Sequence, residues 1–275
     1  MRKKNCIITG GTSGLGLELV KKFINNSFFV HIIAKDNEKI KQLTNYFYEK
    51  NIKSFKFYRV DLAEKNELDK IIFEIKNLDT IDILINNAGA LFLKRETNSK
   101  GIEKTFAVNH LSHFYLTISL IDLIKKTKNA KLVNISSILH KFAKPNFNDI
   151  NFSKNYNGYV AYFNSKLMNL LFTYKINKIY PNYIKCYAVN PGWLNTNFGN
   201  NNKSNIRFLL GFIRNIFAKK PSYVAEEIYN ICTIEKYLNF SERYFEKGDI
   251  SKSSNLSYRE DLQEELWTKS LKIIN

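Results

Sequence analysis

Short, unbroken apolar runs alternate along this chain with longer stretches in which apolar residues recur every three or four positions. The runs fall at 6–9, 29–34, 55–60, 81–85, 131–135 and 184–189. Four to six apolar or β-branched residues without polar alternation are what a strand covered on both faces requires. After the first run, Leu17, Leu19, Val20, Phe23 and Ile24 keep the spacing of an amphipathic helix. Strand followed by helix, repeated, predicts an α/β domain: a doubly wound parallel sheet with helices on both faces, spanning 1–275 as one unit. No proline- or serine-rich linker, repeat or low-complexity tract divides the chain. The asparagine-rich stretch 195–205 is the most loop-like segment and reads as internal to the domain.

The residues just past each run are as telling as the run itself. The first ends in Thr9 and a loop, Gly10 through Thr12, Ser13, Gly14 and Leu15 to Gly16, which leads into the helix. Strand, glycine turn, helix is the context in which a helix amino terminus takes a pyrophosphate. Gly10 permits the turn, Gly14 lets backbone approach the ligand, and Gly16 lets helix pack on strand. The spacing excludes a serine hydrolase elbow, since Gly14 comes directly after Ser13. The second run ends at Ala34, Lys35 and Asp36. A carboxylate at that tip would bond ribose hydroxyls, whereas an ammonium would favour a 2′-phosphate. Counting from Gly16 puts Ala34 in the acid's usual place with Lys35 next, which favours NADP(H). A one-residue shift of the strand end would bring Asp36 there and favour NAD(H). The later runs end at Asp61 and Leu62, suited to an adenine edge, at Asn86, Asn87, Ala88 and Gly89, at Ser136 and Ser137, and at Asn190, Pro191 and Gly192. Open α/β sheets place their sites at such carboxyl ends.

Composition changes little of this. The chain is 44% apolar and 14% aromatic with a net charge of +17. The lysines are spread and interleaved with Asn, Ile, Phe and Tyr, without a run of five or six like charges, so a solvated surface is favoured over a nucleic-acid site. Cys6, Cys186 and Cys232 have no metal spacing and read as core thiols in a reducing compartment. The amino terminus shows no signal-peptide pattern, and no run of ~18 apolar residues suggests a spanning helix. The expectation is a cytoplasmic protein without a metal.

With these motifs in order, the chain resembles the short-chain dehydrogenase/reductase family, and within it the retinol-dehydrogenase-like branch. The resemblance runs through the glycine loop, Asn87 to Gly89, Phe106 to Phe114, Val133 to Ser137, Tyr162 to Leu171, Pro191 and Gly192, and on to Tyr244, Phe245 and Leu266 to Ser270. It implies a Rossmann-type fold and a catalytic set of Asn109, Ser137, Tyr162 and Lys166. It also implies nicotinamide contacts from Thr196 and a homodimer formed through the helices bearing Asn109 and Tyr162. Ser137, rather than Ser136, matches the active serine. Ser137 and Tyr162 are 25 positions apart, an extension that this branch carries and that lies here over 139–159. Two departures stand out: Ala34 and Lys35 replace the branch's usual Cys-Arg, and the amino-terminal anchor of several relatives is missing.

The residue chemistry fits an oxidoreductase that interconverts an alcohol and an aldehyde or ketone. Tyr162 would move the proton, although a free phenol has a pKa of about 10. Lys166, one helical turn on, would lower that value by about two to three units at an effective dielectric of about 20. Ser137 would bond the substrate oxygen, and Asn109 would hold a water leading to Lys166. Taken singly, each residue is ordinary: a Tyr–Lys pair on a helix, a serine at a loop start, a polar helix residue. His110, His113 and His140 read as structural. A non-catalytic NADP(H)-binding sensor or scaffold of the same fold is the alternative. Residues 195–222 read as a substrate loop or lid. Within it the apolar run 206–217, with Arg207 and Arg214 inside it and Lys219 and Lys220 just beyond, is either a helix packed on the core or a lid over a lipophilic substrate in peripheral contact with a membrane.

Overall fold

A computed structural model describes residues 2–192, 220–239 and 243–275. Eight strands form one sheet: β1 (Asn5–Thr9), β2 (Phe29–Ala34), β3 (Phe55–Arg59), β4 (Ile83–Asn86), β5 (Ala130–Ile135), β6 (Ile184–Asn190), β7 (Tyr244–Glu246) and β8 (Asp249–Ile250). Their order is β3-β2-β1-β4-β5-β6-β7-β8, parallel throughout except for the β7–β8 pair. Helices α1 (Gly14–Asn25), α2 (Asn37–Glu49) and α3 (Lys65–Ile75) link the first four strands.

Neighbouring residues of one strand serve different cores, as the two-residue period of a strand demands. Ile8, Ile32, Ile85, Val133 and Val189 face α1 and the helix Pro221–Thr233. Ile7, Ile33, Leu84, Leu132 and Cys186 face α3 and the long helix Gly158–Ile179. Both faces being apolar explains the unbroken runs in the sequence. Each fully buried Leu, Ile or Phe contributes roughly 1.5–3 kcal/mol, so the two layers hold the sheet from both sides. The three cysteines lie buried as free thiols within these layers.

The helical run that carries Asn109 starts at a buried carboxylate. Glu103 accepts the amides of Thr105 (2.8 Å) and Phe106 (2.7 Å), and Tyr156 Oη stands 3.0 Å from it. One turn, Lys104–Phe106, leads into a π-helical turn, Ala107–Leu111, and then into Ser112–Ser119. The extra residue in a π turn displaces the ladder and rotates the next turns about the axis. Nothing in side-chain pattern marks such an insertion, and the sequence shows only a helix there.

The carboxy-terminal helix Glu260–Ile274 packs on this run and on the long helix. Trp267 meets Phe114 edge-on at 5.1 Å and stacks near Phe172 at 6.3 Å. His110 Nε2 bonds Ser270 Oγ at 3.1 Å, Lys178 pairs with Glu260 at 2.8 Å, and Lys175 pairs with Glu264. A surface of the two helices expected to form a homodimer is therefore occupied by the chain's own last helix. Strands β7 and β8, too short to leave a pattern, extend the sheet past the six predicted strands. Helix α1 begins at Gly14, earlier than its apolar periodicity, because glycines leave no side chain for that pattern to register. Among the described residues no helix is long and apolar enough to cross a membrane. Thr196, most of the expected lid at 195–222 and its apolar run 206–217 lie outside the described residues.

Candidate active site

In this strand order the connection direction reverses between β1 and β4, and a crevice opens at their carboxyl ends. The glycine loop leaves β1 there. Gly10 and Gly14 take positive φ angles of 72° and 52°. A Cβ on Gly16 would sit 2.1 Å from the Gly10 carbonyl oxygen, so only glycine allows α1 to start this close to the strand. Ser13 precedes the helix in extended conformation, and its side chain makes no cap bond. The first-turn amides are thus left to an outside acceptor, as a phosphate site needs. Thr12 is half-buried and Ser13 exposed beside them, whereas the Leu15 side chain belongs to the core. Leu15 can offer only its backbone to a ligand.

Thr9 proves to be the hub that joins this loop to the neighbouring strand end. Its Oγ1 accepts from the amides of Asn87 (2.9 Å) and Ala88 (3.0 Å) and bonds His113 Nε2 at 3.0 Å. Asn87 Nδ2 returns to the Thr9 carbonyl at 2.9 Å. Asn87 therefore locks two loops together with its side chain, and Ala88 and Gly89 are left partly exposed beside it. His113 Nδ1 meets the Asn109 carbonyl at 3.1 Å, so it donates there and Nε2 accepts the Thr9 hydroxyl proton. Burial first, then nearby Lys166, pushes His113 down to about 3, which keeps it neutral. His113 is thus structural, as expected, whereas the role of Thr9 is not legible in the sequence. The available signals were a hydroxyl ending an apolar strand and a histidine one turn after Asn109.

Asn109 is fully buried and its side chain is committed. It accepts from the Ala90 amide (2.7 Å) and donates to the Ala90 carbonyl (2.9 Å) and to Ser165 Oγ (3.0 Å). Ser165 Oγ in turn donates to the Tyr162 carbonyl at 2.7 Å. The side chain of Asn109 thus braces the loop after β4 against the helix of Tyr162, where the sequence suggested a water site. Ser165 was not anticipated.

The long helix is capped by Asn157, whose side chain accepts from the amides of Tyr159 and Val160 at 3.0 and 3.2 Å. Tyr162 and Lys166 come next on one face. Lys166 Nζ lies 5.4 Å from the Tyr162 ring centroid and donates to the Ile135 carbonyl at 3.2 Å. The two serines after β5 divide their work. Ser136 Oγ is buried and donates to the Lys166 carbonyl at 2.9 Å, while Ser137 is hydrogen-bonded to the Tyr162 side chain. Ser137 Oγ also accepts from the Leu139 amide at 3.3 Å. His140 bonds the Ser137 carbonyl, not its hydroxyl, so no Ser–His relay exists.

The electrostatics correct one expectation. Burial pushes the Tyr162 phenol up, and the hydrogen bond with Ser137 only partly opposes it. Burial also pushes Lys166 down to about 8, so in the protein alone desolvation of both side chains prevails over the lowering of the phenol expected from the ammonium.

At the β2 tip, Asp36 caps α2 by accepting the Lys39 amide at 3.1 Å, which turns its carboxylate to the helix. Lys35, largely exposed, pairs with Asp61 at 2.6 Å. Burial raises the Asp61 pKa, but the hydrogen bonds from Lys35 and the Ala63 amide outweigh it and the net shift is downward. Leu62 is buried in the core. Beyond β6, Pro191 is buried, and Gly192 takes φ 74° and donates to Asn190 Oδ1 at 3.0 Å. Among the described residues no group of three or more His, Cys, Asp or Glu is placed to hold a metal.

The extension over 139–159 packs against the segment that follows β4. Arg95 donates to the carbonyls of Phe152 (2.8 Å) and Asn151 (3.2 Å), and Tyr156 Oη donates to that of Phe92 at 2.7 Å. A Cβ on Gly158 would meet the Phe92 oxygen at 2.2 Å. Phe142, 63% exposed, pairs with Phe163 at 6.0 Å beside Tyr162 in the sequence.

Known proteins share this plan. Human polyprenol dehydrogenase is 29% identical, covering 96% of this chain and 83% of the relative. Mouse retinol dehydrogenase 12 is 30% identical, covering 98% of this chain and 86% of the relative. The solved short-chain dehydrogenase from Sphingobium yanoikuyae, in complex with NADPH, superposes with a TM-score of 0.66 at 19% identity over 83% of each chain. Residues 4–207 match the short chain dehydrogenase family, and the chain is an oxidoreductase that belongs to it.

Proposed function

We propose that this protein interconverts an alcohol and an aldehyde or ketone on a lipophilic substrate with NADP(H), Tyr162 acting as general acid and base. The observation that carries the reading is the convergence of Ser137, Tyr162 and Lys166 beside the glycine loop, with Asn109 bracing them through Ser165. The uncapped start of α1 and the close approach at Gly16 fit a dinucleotide pyrophosphate. A nicotinamide held here would supply the hydride for the substrate carbon, or accept one from it. The protein's residues do the rest. Ser137 donates to the substrate oxygen, Tyr162 passes it a proton or takes one away, and Lys166 orients the ribose and favours the phenolate. In the protein alone burial holds Tyr162 protonated. That state suits carbonyl reduction, in which the phenol donates.

The preference for NADP(H) over NAD(H) rests on Lys35 at the strand tip and on the commitment of Asp36 to α2. The S. yanoikuyae neighbour holds NADPH, which agrees with a nicotinamide cofactor. An apolar substrate is supported by the Phe142–Phe163 pair near the site and by relatives named for polyprenol and retinol. The substrate loop at 195–222, with Thr196 as a nicotinamide contact, belongs to the same reading.

NADPH oxidation measured against long-chain and short polar aldehydes and ketones tests it. Turnover concentrated on the apolar members is the expected result. Tight NADPH binding without turnover on any member would instead establish the binding-only sensor or scaffold.

A further inference from the structure

Behind Ser137 lies a hydrogen-bonded bracket that the proposed reaction does not use. His140 is fully buried, three positions past the strand-end serine, in the 3-10 turn Ile138–Phe142. Its Nδ1 lies 2.6 Å from the Ser137 carbonyl oxygen. Its Nε2 lies 3.0 Å from the backbone nitrogen of Ser254, 114 residues further along the chain. A carbonyl can only accept and an amide can only donate, so the imidazole is held as the neutral Nδ1–H tautomer. Tyr244 packs edge-on against the ring at 5.3 Å.

The bracket then returns to the catalytic helix. Ser257 Oγ donates to the Ser254 carbonyl at 2.6 Å and lies 2.7 Å from Ser253 Oγ, which lies 2.7 Å from Tyr174 Oη. Tyr174 stands on the same helix as Tyr162 and Lys166. Ser137 is thus tied to that helix twice: directly through its hydroxyl to Tyr162, and from behind through His140 and the turn 253–257. We propose that His140 is a positioning residue for Ser137, and that the turn 253–257 is through it a part of the active-site framework. The proposal rests on Ser137 as the donor to the substrate oxygen. Its physical basis is that a donor must be held to a fraction of an ångström to serve the transition state, and a loop serine with one anchor is not.

Ser254 offers a clean test. Its φ of −68° is already that of proline, and its Oγ has no partner among the described residues. Ser254→Pro therefore removes the amide hydrogen that His140 accepts and sets the ring Cδ in its place, which breaks the bracket and displaces the imidazole while φ at 254 stays permitted. Three other variants complete the set: His140→Leu, which loses both bonds, His140→Gln, whose amide head can donate and accept, and Ser137→Ala as reference. With NADPH and the best aldehyde of the panel, His140→Leu and Ser254→Pro should each lower kcat at least about tenfold, a misplacement effect. KM and the NADPH dissociation constant should stay at parent values. The double variant should lose no more than the worse single one, and His140→Gln should recover most of kcat. If Ser137→Ala abolishes turnover while Ser254→Pro and His140→Leu keep the parent kcat, the positioning role is overturned and the functional reading stands. If Ser137→Ala itself retains turnover, both fall. Should His140→Leu fail to fold, Ser254→Pro decides alone, because a folded variant with parent kcat refutes the proposal.

Discussion

Replacing Tyr162 with Phe deletes one oxygen and keeps the ring that Lys166 lies against. Turnover should fall by about 10²–10⁴, the usual contribution of general acid–base catalysis, while NADPH affinity is retained. Near-parent turnover in a steady-state assay would remove Tyr162 from the mechanism. Lys35 presents a subtler case, because its ammonium is already held by Asp61. A 2′-phosphate has to draw Lys35 away from that carboxylate, and it meets the negative charge of Asp61 as it does so. Asp61→Asn should therefore tighten NADP more than NAD, and Lys35→Glu should reverse or erase the preference. Calorimetric titration at low salt checks both, and an unchanged ratio in Asp61→Asn would show that the pair does not govern selectivity. An exposed ion pair of this kind is worth at most about 1 kcal/mol, so the expected change is severalfold rather than a hundredfold.

At the scale of elements, what could be read beforehand were features with a periodic or positional signature. The apolar runs gave β1 to β6 to within a few residues, and the polar residues after each run fall at the carboxyl ends of those strands. The rest depended on contacts between distant segments. The π turn Ala107–Leu111 has the composition of any helix, and β7 acquires strand character only by pairing with β6. The side-chain partners of Asn109, Ala90 and Ser165, come from two other segments and left no trace in its local sequence. The 139–159 extension carried no regular pattern, yet Arg95, Tyr156 and the contact at Gly158 hold it against 92–93. Gly158→Ala should force this segment outward and cost about 1–3 kcal/mol, as overpacking does. A lower melting temperature, with a higher KM for apolar carbonyls than for NADPH, is the expected signature. A variant with unchanged melting temperature would show that the segment yields freely.

For the molecule as a whole, the buried histidines set its response to acid. His110 and His113 are both pushed down to about 3 by burial. The unfolded chain takes protons on these rings near pH 6.5, whereas the folded protein refuses them. Their contribution is therefore complete above about pH 6.5 and declines as pH falls toward the folded values, by about 1.4 kcal/mol per unit for each ring. Urea midpoints should drop between pH 7 and 5, before most carboxylates titrate, and a flat midpoint over that range would contradict the burial of either ring. The carboxy-terminal helix covers a flank of the two helices expected to pair. Because it lies over Phe114, Phe172 and Lys178, the protein should scatter light as a 32.2 kDa monomer at micromolar concentration, and a stable dimer would mean that another surface pairs. That same helix bears on biosynthesis. His110 waits for Ser270, 160 residues later, before its ring nitrogen is satisfied. A nascent chain emerging from the ribosome can thus form its sheet and glycine loop while the flank of its catalytic helix stays bare. Until Trp267 packs, Phe114 and Phe172 lack the ring that covers them in the folded protein.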